Sequence, residues 1–161
     1  MKKFLTACGL VCVMVAGVLA AAAALPNYAG TWALDKDKTK DLPPQMAAMG
    51  DVQLVITQDD KKVTEKLGSG DEIAFNLDGS KSKVQLTGRM PGEATVYLEK
   101  KDDGKVILHT ERELNFNGNA VTINVTEAWE LTDGGKTLTS KRTVVSPRGT
   151  QEFTLVFTKK G

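Results

Sequence analysis

From Gly30 to the C-terminus, short runs rich in Val, Ile, Thr and Phe alternate with turn signals every eight to twelve residues. Within a run, apolar and polar side chains alternate with a period of two. No stretch keeps the 3.6-residue period of a long amphipathic helix. The pattern predicts an all-β domain with ten candidate strands: Thr31–Asp35, Val52–Gln58, Lys62–Leu67, Glu72–Leu77, Lys83–Thr87, Glu93–Lys100, Lys105–Phe116, Ala120–Leu131, Thr137–Ser146 and Thr150–Lys159.

Turn chemistry sets the pairing. Asn117-Gly118 is a two-residue loop of the kind whose positive φ angles suit a tight hairpin. It places Phe116 opposite Asn119, and counting outward gives Leu114 with Val121, Arg112 with Ile123, Thr110 with Val125, Leu108 with Glu127 and Val106 with Trp129. One face then collects nearly all the apolar residues, so the register supports itself. Across Thr132-Asp133-Gly134-Gly135 the same face continues if Trp129 meets Leu138, Glu127 meets Ser140 and Val125 meets Arg142, and Phe153, Leu155 and Phe157 extend it on the last strand.

Consecutive hairpins of long strands with one apolar face must pack on a second sheet or curl until the first and last strands meet, which also removes exposed edges. Short connections favour closure into a single antiparallel up-and-down β-barrel of eight to ten strands. A Greek-key sandwich needs longer crossovers. The one long connection, Lys36 to Asp51, contains Pro43-Pro44 and then Gln45 to Met49. It predicts a short helical lid in which Met46 and Met49 form an adaptable cover over a barrel mouth, with a plain cap as the alternative.

The N-terminus has a different character. Met1-Lys2-Lys3 is a positive start, Phe4 to Leu19 is apolar, and Ala20 to Ala24 offers A-x-A cleavage sites. Residues 1–24 are therefore expected to be a cleaved signal peptide, with residues 25–161 as one barrel domain in a secreted or periplasmic setting. Both cysteines, Cys8 and Cys12, fall in the leader, so the domain has no thiol, disulfide or cysteine metal site. Leu5-Thr-Ala-Cys8 has the look of a lipidation box, and membrane contact is expected only if that cysteine is lipidated. Of 21 basic and 20 acidic side chains, only Lys2 and Lys3 leave with the leader. The remaining 19 and 20 are scattered along the chain, which points away from a nucleic-acid partner. A monomer is the expected state.

The inward face carries polar residues as well. Arg112, Glu127 and Arg142 share it with Val106, Leu108, Ile123, Val125 and Trp129. Buried charges are costly when isolated, so these three are expected near one another or near water. Two arginines and one glutamate leave one positive charge, enough to clamp the carboxylate of an amphipathic anion, with Thr110 and Ser140 as neighbouring polar contacts. The alternative is a structural network that Glu65 completes, since Glu65 shares a face with Val63 and Leu67 if Ile56 pairs with Val63.

Gly30-Thr31-Trp32, opening the first strand, resembles the G-x-W signature of lipocalin-type barrels. "GTWALDKDKTK" together with "EAWELTDGGKTLTSKRTVVSPRGTQEFTLVFTKK" resembles small secreted bacterial lipocalin-like proteins. The resemblance covers both ends of the domain better than its middle. It implies that Trp32 closes the barrel floor beside a basic residue near the chain's end, for which Arg142, Lys159 or neither are the options. It also implies reversible binding of a small hydrophobic or amphipathic molecule.

Catalytic signatures are absent from the sequence. His109 is the only histidine and alternates with Ile107, Glu111 and Glu113 on the outer face, so a two-histidine metal site is excluded. There is no G-x-S-x-G elbow, and Gly68-Ser69-Gly70 is a turn with no helix after it. Asp59-Asp60 and Asp102-Asp103 occupy turns, where aspartate serves the backbone. No cofactor, metal or enzyme activity is expected. Two other classes stay open: a solid-core structural or protein-interaction module of the cell envelope, and a cavity enzyme using a desolvated Glu127 or Glu65 as a base. Tyr97 faces either way on sequence alone.

Overall fold

Ten antiparallel strands form one sheet in the order β4-β3-β2-β1-β10-β9-β8-β7-β6-β5. In the computed structural model, which describes residues 25–42, 44, 50–87, 91–116 and 119–161, the strands are β1 (Gly30–Leu34), β2 (Gln53–Gln58), β3 (Lys62–Leu67), β4 (Glu72–Asn76), β5 (Ser82–Leu86), β6 (Gly92–Lys100), β7 (Val106–Phe116), β8 (Asn119–Thr132), β9 (Thr137–Ser146) and β10 (Gly149–Lys159). The leader at residues 1–24, the lid methionines Met46 and Met49, and the Asn117-Gly118 turn lie outside the described residues.

All consecutive strands pair except β4 and β5. β1 and β2 pair across the long connection, and the ring is closed by β1 pairing with β10, Trp32 opposite Lys159 and Leu34 opposite Phe157. Between β4 and β5 no ladder forms, so the barrel is nearly closed, with one gap. The early part of the connection stays laced to β10 through Lys40 and Thr154 and through the Thr39 hydroxyl, which accepts from the Val156 amide at 3.2 Å.

The β7–β8 register is the one predicted, from Phe116 with Asn119 to Val106 with Trp129. The β8–β9 register corrects the prediction by two residues: Glu127 faces Arg142, Trp129 faces Ser140 and Leu131 faces Leu138. The cause lies in the turn. Asp133–Gly135 is a 3₁₀ turn in which Asp133, Gly134 and Gly135 all take positive φ (52°, 64° and 84°), so the loop consumes more residues than a tight hairpin. The β2–β3 pair is shifted likewise, with Ile56 opposite Glu65 rather than Val63. A two-residue shift preserves which side chains point inward, so the core survives both corrections.

One end of the barrel holds the turns β2–β3, β4–β5, β6–β7 and β8–β9 together with the N-terminal residues, and it is packed solid. Tyr28, Trp32, Phe75, Trp129, Leu138 and Phe157 are all essentially inaccessible there. Tyr28 tilts against Trp129 with ring centroids 5.5 Å apart, and its hydroxyl donates to the Gly104 carbonyl at 3.3 Å. Gln58 straps this segment down, donating to the Pro26 carbonyl (3.1 Å) and accepting from the Tyr28 amide (2.9 Å).

Trp32 sits in this floor with no exposed surface. Its indole donates to the Tyr28 carbonyl at 3.0 Å, and Lys159 Nζ lies 5.1 Å from the ring centroid. Of the options left open by the sequence, Lys159 is the basic partner. Gly30 has φ +146°, and a Cβ there would come within 2.7 Å of Lys159 Cε. The glycine of G-x-W thus leaves room for the lysine stem that crosses to the tryptophan.

Candidate functional site

At the other end, several inward side chains are looser. Ile73, Val84, Thr110, Arg112, Val125, Arg142 and Val144 point into the barrel and are only partly buried, while Leu86 and Leu114 at the same end are buried. Alternation along β7, β8 and β9 puts these residues on the inner face, and the mouth is therefore a half-open basin lined by aliphatic side chains with two arginines among them.

Glu127 and Arg142 meet where basin and floor join. They are directly paired across β8 and β9, and Arg142 Nη2 donates to Glu127 Oε1 at 2.7 Å. Glu127's side chain is 5% exposed and Arg142's is 21%, so the carboxylate is enclosed and the arginine keeps some contact with solvent, although its Nε is buried. Burial works against the arginine's charge, but the fields of Glu127 and Glu65 and the hydrogen bond outweigh it and raise its pKa.

Glu65, on β3 across the barrel, completes the group. It is 8% exposed. Burial, then the negative field of Glu127, push its carboxyl up to about 8 against the opposing pull of Arg142. Burial thus favours the protonated form of Glu65 beside the Glu127–Arg142 pair. Glu65, Glu127 and Ser140 border a common cavity of about 10 Å³, on the order of one water molecule. Ser140 is 1% exposed, within the floor and not on the basin wall.

Arg112 is placed differently. It lies in the row of Ala94 and Ile123, while the row of Thr110, Val125 and Val144 separates it from Glu127 and Arg142. Burial lowers its pKa, and the neighbouring charge that counters this is Asp71 at the β3–β4 turn. The expected trio of Arg112, Glu127 and Arg142 is thus two groupings: Glu127 and Arg142 with Glu65 below, and Arg112 with Asp71 above. Asp71, whose carboxylate accepts from the Thr87 amide at 2.9 Å, was missed because nothing in a turn aspartate signals that its charge reaches Arg112.

The remaining polar candidates serve structure. Asp59 accepts from the Lys61 and Lys62 amides, both at 2.7 Å, and Asp103 accepts from the Lys105 amide at 3.2 Å. Tyr97 faces outward, stacked on His109 with centroids 4.3 Å apart, and His109 lies 3.4 Å from Glu99. Among the described residues no cluster of His, Cys, Asp or Glu is arranged to hold a metal ion. A second concavity of about 580 Å³ opens on the outside, lined by Lys61, Lys62, Asn76, Asp78 and Lys100 among others. It is formed by strand ends and turns, and among the described residues no buried polar side chain lines it.

No protein-family model matches the chain, and no curated protein sequence does. Among solved structures the chain is similar to the zebrafish ileal bile acid-binding protein, crystallised in complex with cholic acid. The TM-score is 0.51 at 13% identity, covering 83% of this chain and 98% of that one. At such low identity the likeness speaks for the fold, a calycin-type barrel of ten antiparallel strands.

Proposed function

We propose that this protein is a secreted or periplasmic calycin-type barrel that reversibly binds a small hydrophobic or amphipathic molecule in the basin above its packed floor. The observation that carries the reading is apolar surface left partly exposed on the inner face. Ile73, Val84, Val125 and Val144 point inward towards the mouth and are only partly buried. Apolar surface left open inside a barrel is what a ligand would cover. Arg142 and Arg112 beside it favour an anionic head group, with Thr110 on the same wall, and the solved similar barrel was crystallised with an amphipathic acid.

The reading is of a binding protein, not an enzyme. Glu65 is the desolvated carboxyl that cavity chemistry would need, but it adjoins a space of about 10 Å³ that admits no substrate. Native mass spectrometry of protein purified from its own compartment tests the proposal. A retained small molecule supports it, and its absence after mild handling weakens it. In a lipid-displacement assay, Arg112→Ala with Arg142→Ala should weaken an anionic lipid while leaving a neutral one bound; unchanged affinity for the anion would remove the arginine clamp.

A second reading, a solid-core interaction module, is favoured by the floor itself. Trp32, Trp129, Tyr28, Phe75 and Phe157 are all fully buried in the lower half, as a purely structural barrel would require. Failure to bind any hydrophobic probe, with co-purification of a protein partner, would favour it.

A further inference from the structure

The cavity between Glu65, Glu127 and Ser140 combines three features that seldom occur together unless something occupies the space. It is the size of a single water, being about 10 Å³. Its apolar walls come from Leu54, Leu67, Leu155 and Phe157. Three polar side chains from three different strands converge on it, and one of them, the Ser140 hydroxyl, is fully buried with no protein partner. A hydroxyl can donate once and accept twice, and native interiors rarely leave such a group unpaired.

We propose that this cavity is an internal hydration site holding one water molecule, bound by Ser140, Glu65 and Glu127 together. Protonated Glu65 and the Ser140 hydroxyl donate to the water, and the water donates to the Glu127 carboxylate, whose other bond goes to Arg142. The water has three partners, the usual number for a buried one. The charges also balance: Glu127 is paired with Arg142 and Glu65 is neutral. Around Glu65 the flanking strands supply only apolar inward neighbours, Leu54 and Ile56 from β2 and Ile73 from β4. From β10 come Leu155 and Phe157. The ionisable groups facing it are therefore Glu127 and Arg142, and a water is what links it to them.

A high-resolution crystal structure of the wild-type chain at mildly acidic pH tests this directly. One peak should lie about 2.7–3.2 Å from Ser140 Oγ and from both carboxyl groups. A cavity without density, with the Ser140 hydroxyl turned to a main-chain carbonyl, would overturn the proposal. So would shorter, metal-type contacts to both carboxylates, which mean a cation. A solution readout is the carboxyl ¹³C titration of Glu65 in wild type and in Ser140→Val, whose methyl groups displace the water. Loss of the water donor from ionised Glu65 should move its midpoint upward; an unchanged midpoint counts against the site. Should Ser140→Val not fold, the wild-type structure decides alone.

Discussion

Glu127 and Arg142 occupy directly opposed positions on β8 and β9, joined by a 2.7 Å hydrogen bond at the boundary between a sealed floor and an open basin. Breaking the pair from one side leaves a charge without its partner in a low-dielectric setting. Glu127→Ala should therefore cost about 3–5 kcal/mol in urea unfolding. The double variant Glu127→Leu with Arg142→Met removes both charges and should recover most of that loss. A single variant within about 1 kcal/mol of wild type would mean the pair is solvated like a surface bridge.

Stability should fall as pH rises from the acid range to the mildly alkaline. Glu65 moves from an ordinary value of 4.5 to about 8 in the barrel, so between these values the folded chain holds a proton that the unfolded chain has released. The contribution is fully present below the unfolded value and is lost as pH rises through the folded one, with a slope on the order of 1 kcal/mol per pH unit. Denaturation midpoints measured across that window should decline in wild type and flatten in Glu65→Gln. Equal slopes in the two proteins would place the titration elsewhere.

Trp32→Ala should cost about 3–5 kcal/mol through the hole left in the floor. Gly30→Ala should cost less, about 1 kcal/mol, from an unfavourable φ and from pushing the Lys159 stem off the indole. Thermal unfolding measures both. A drop in ligand affinity at constant melting temperature in Trp32→Ala would assign the residue to a binding surface instead.

Tyr28 gives the N-terminal strap its own signature. Burial, then the negative fields of Asp103 and Glu130, push its phenol up to about 12, so stability from this group persists at pH 10 and is lost as pH rises through 12. Ultraviolet titration should show a late phenolate phase that disappears in Tyr28→Phe. Loss of the bond to Gly104 should itself cost about 1 kcal/mol. Retention of the late phase in the variant would refute the assignment.

Alternation and turn residues carried the fold a long way. All ten predicted strands lie within one residue of those observed, because a half-buried strand writes its inward face at every second position. Trp32 as the floor was legible from G-x-W and its place at the start of β1. The pairing of Glu127 with Arg142 was legible only as proximity, since the predicted register set them on a diagonal.

What the sequence determined by itself was the period-two face of each strand and the order of hairpins, which together specify an antiparallel up-and-down sheet with Arg112, Glu127 and Arg142 turned inward. Tertiary structure decided what a period of two cannot record. A shift of two residues leaves every side chain on its own face, so only the geometry of the Asp133–Gly135 turn set Glu127 opposite Arg142. Curvature decided the rest: rolling the sheet until β1 met β10 brought Glu65 to a common cavity with Glu127 and Ser140, and brought Arg112 within the field of Asp71. Those contacts join residues far apart in the chain, and no local pattern encodes them.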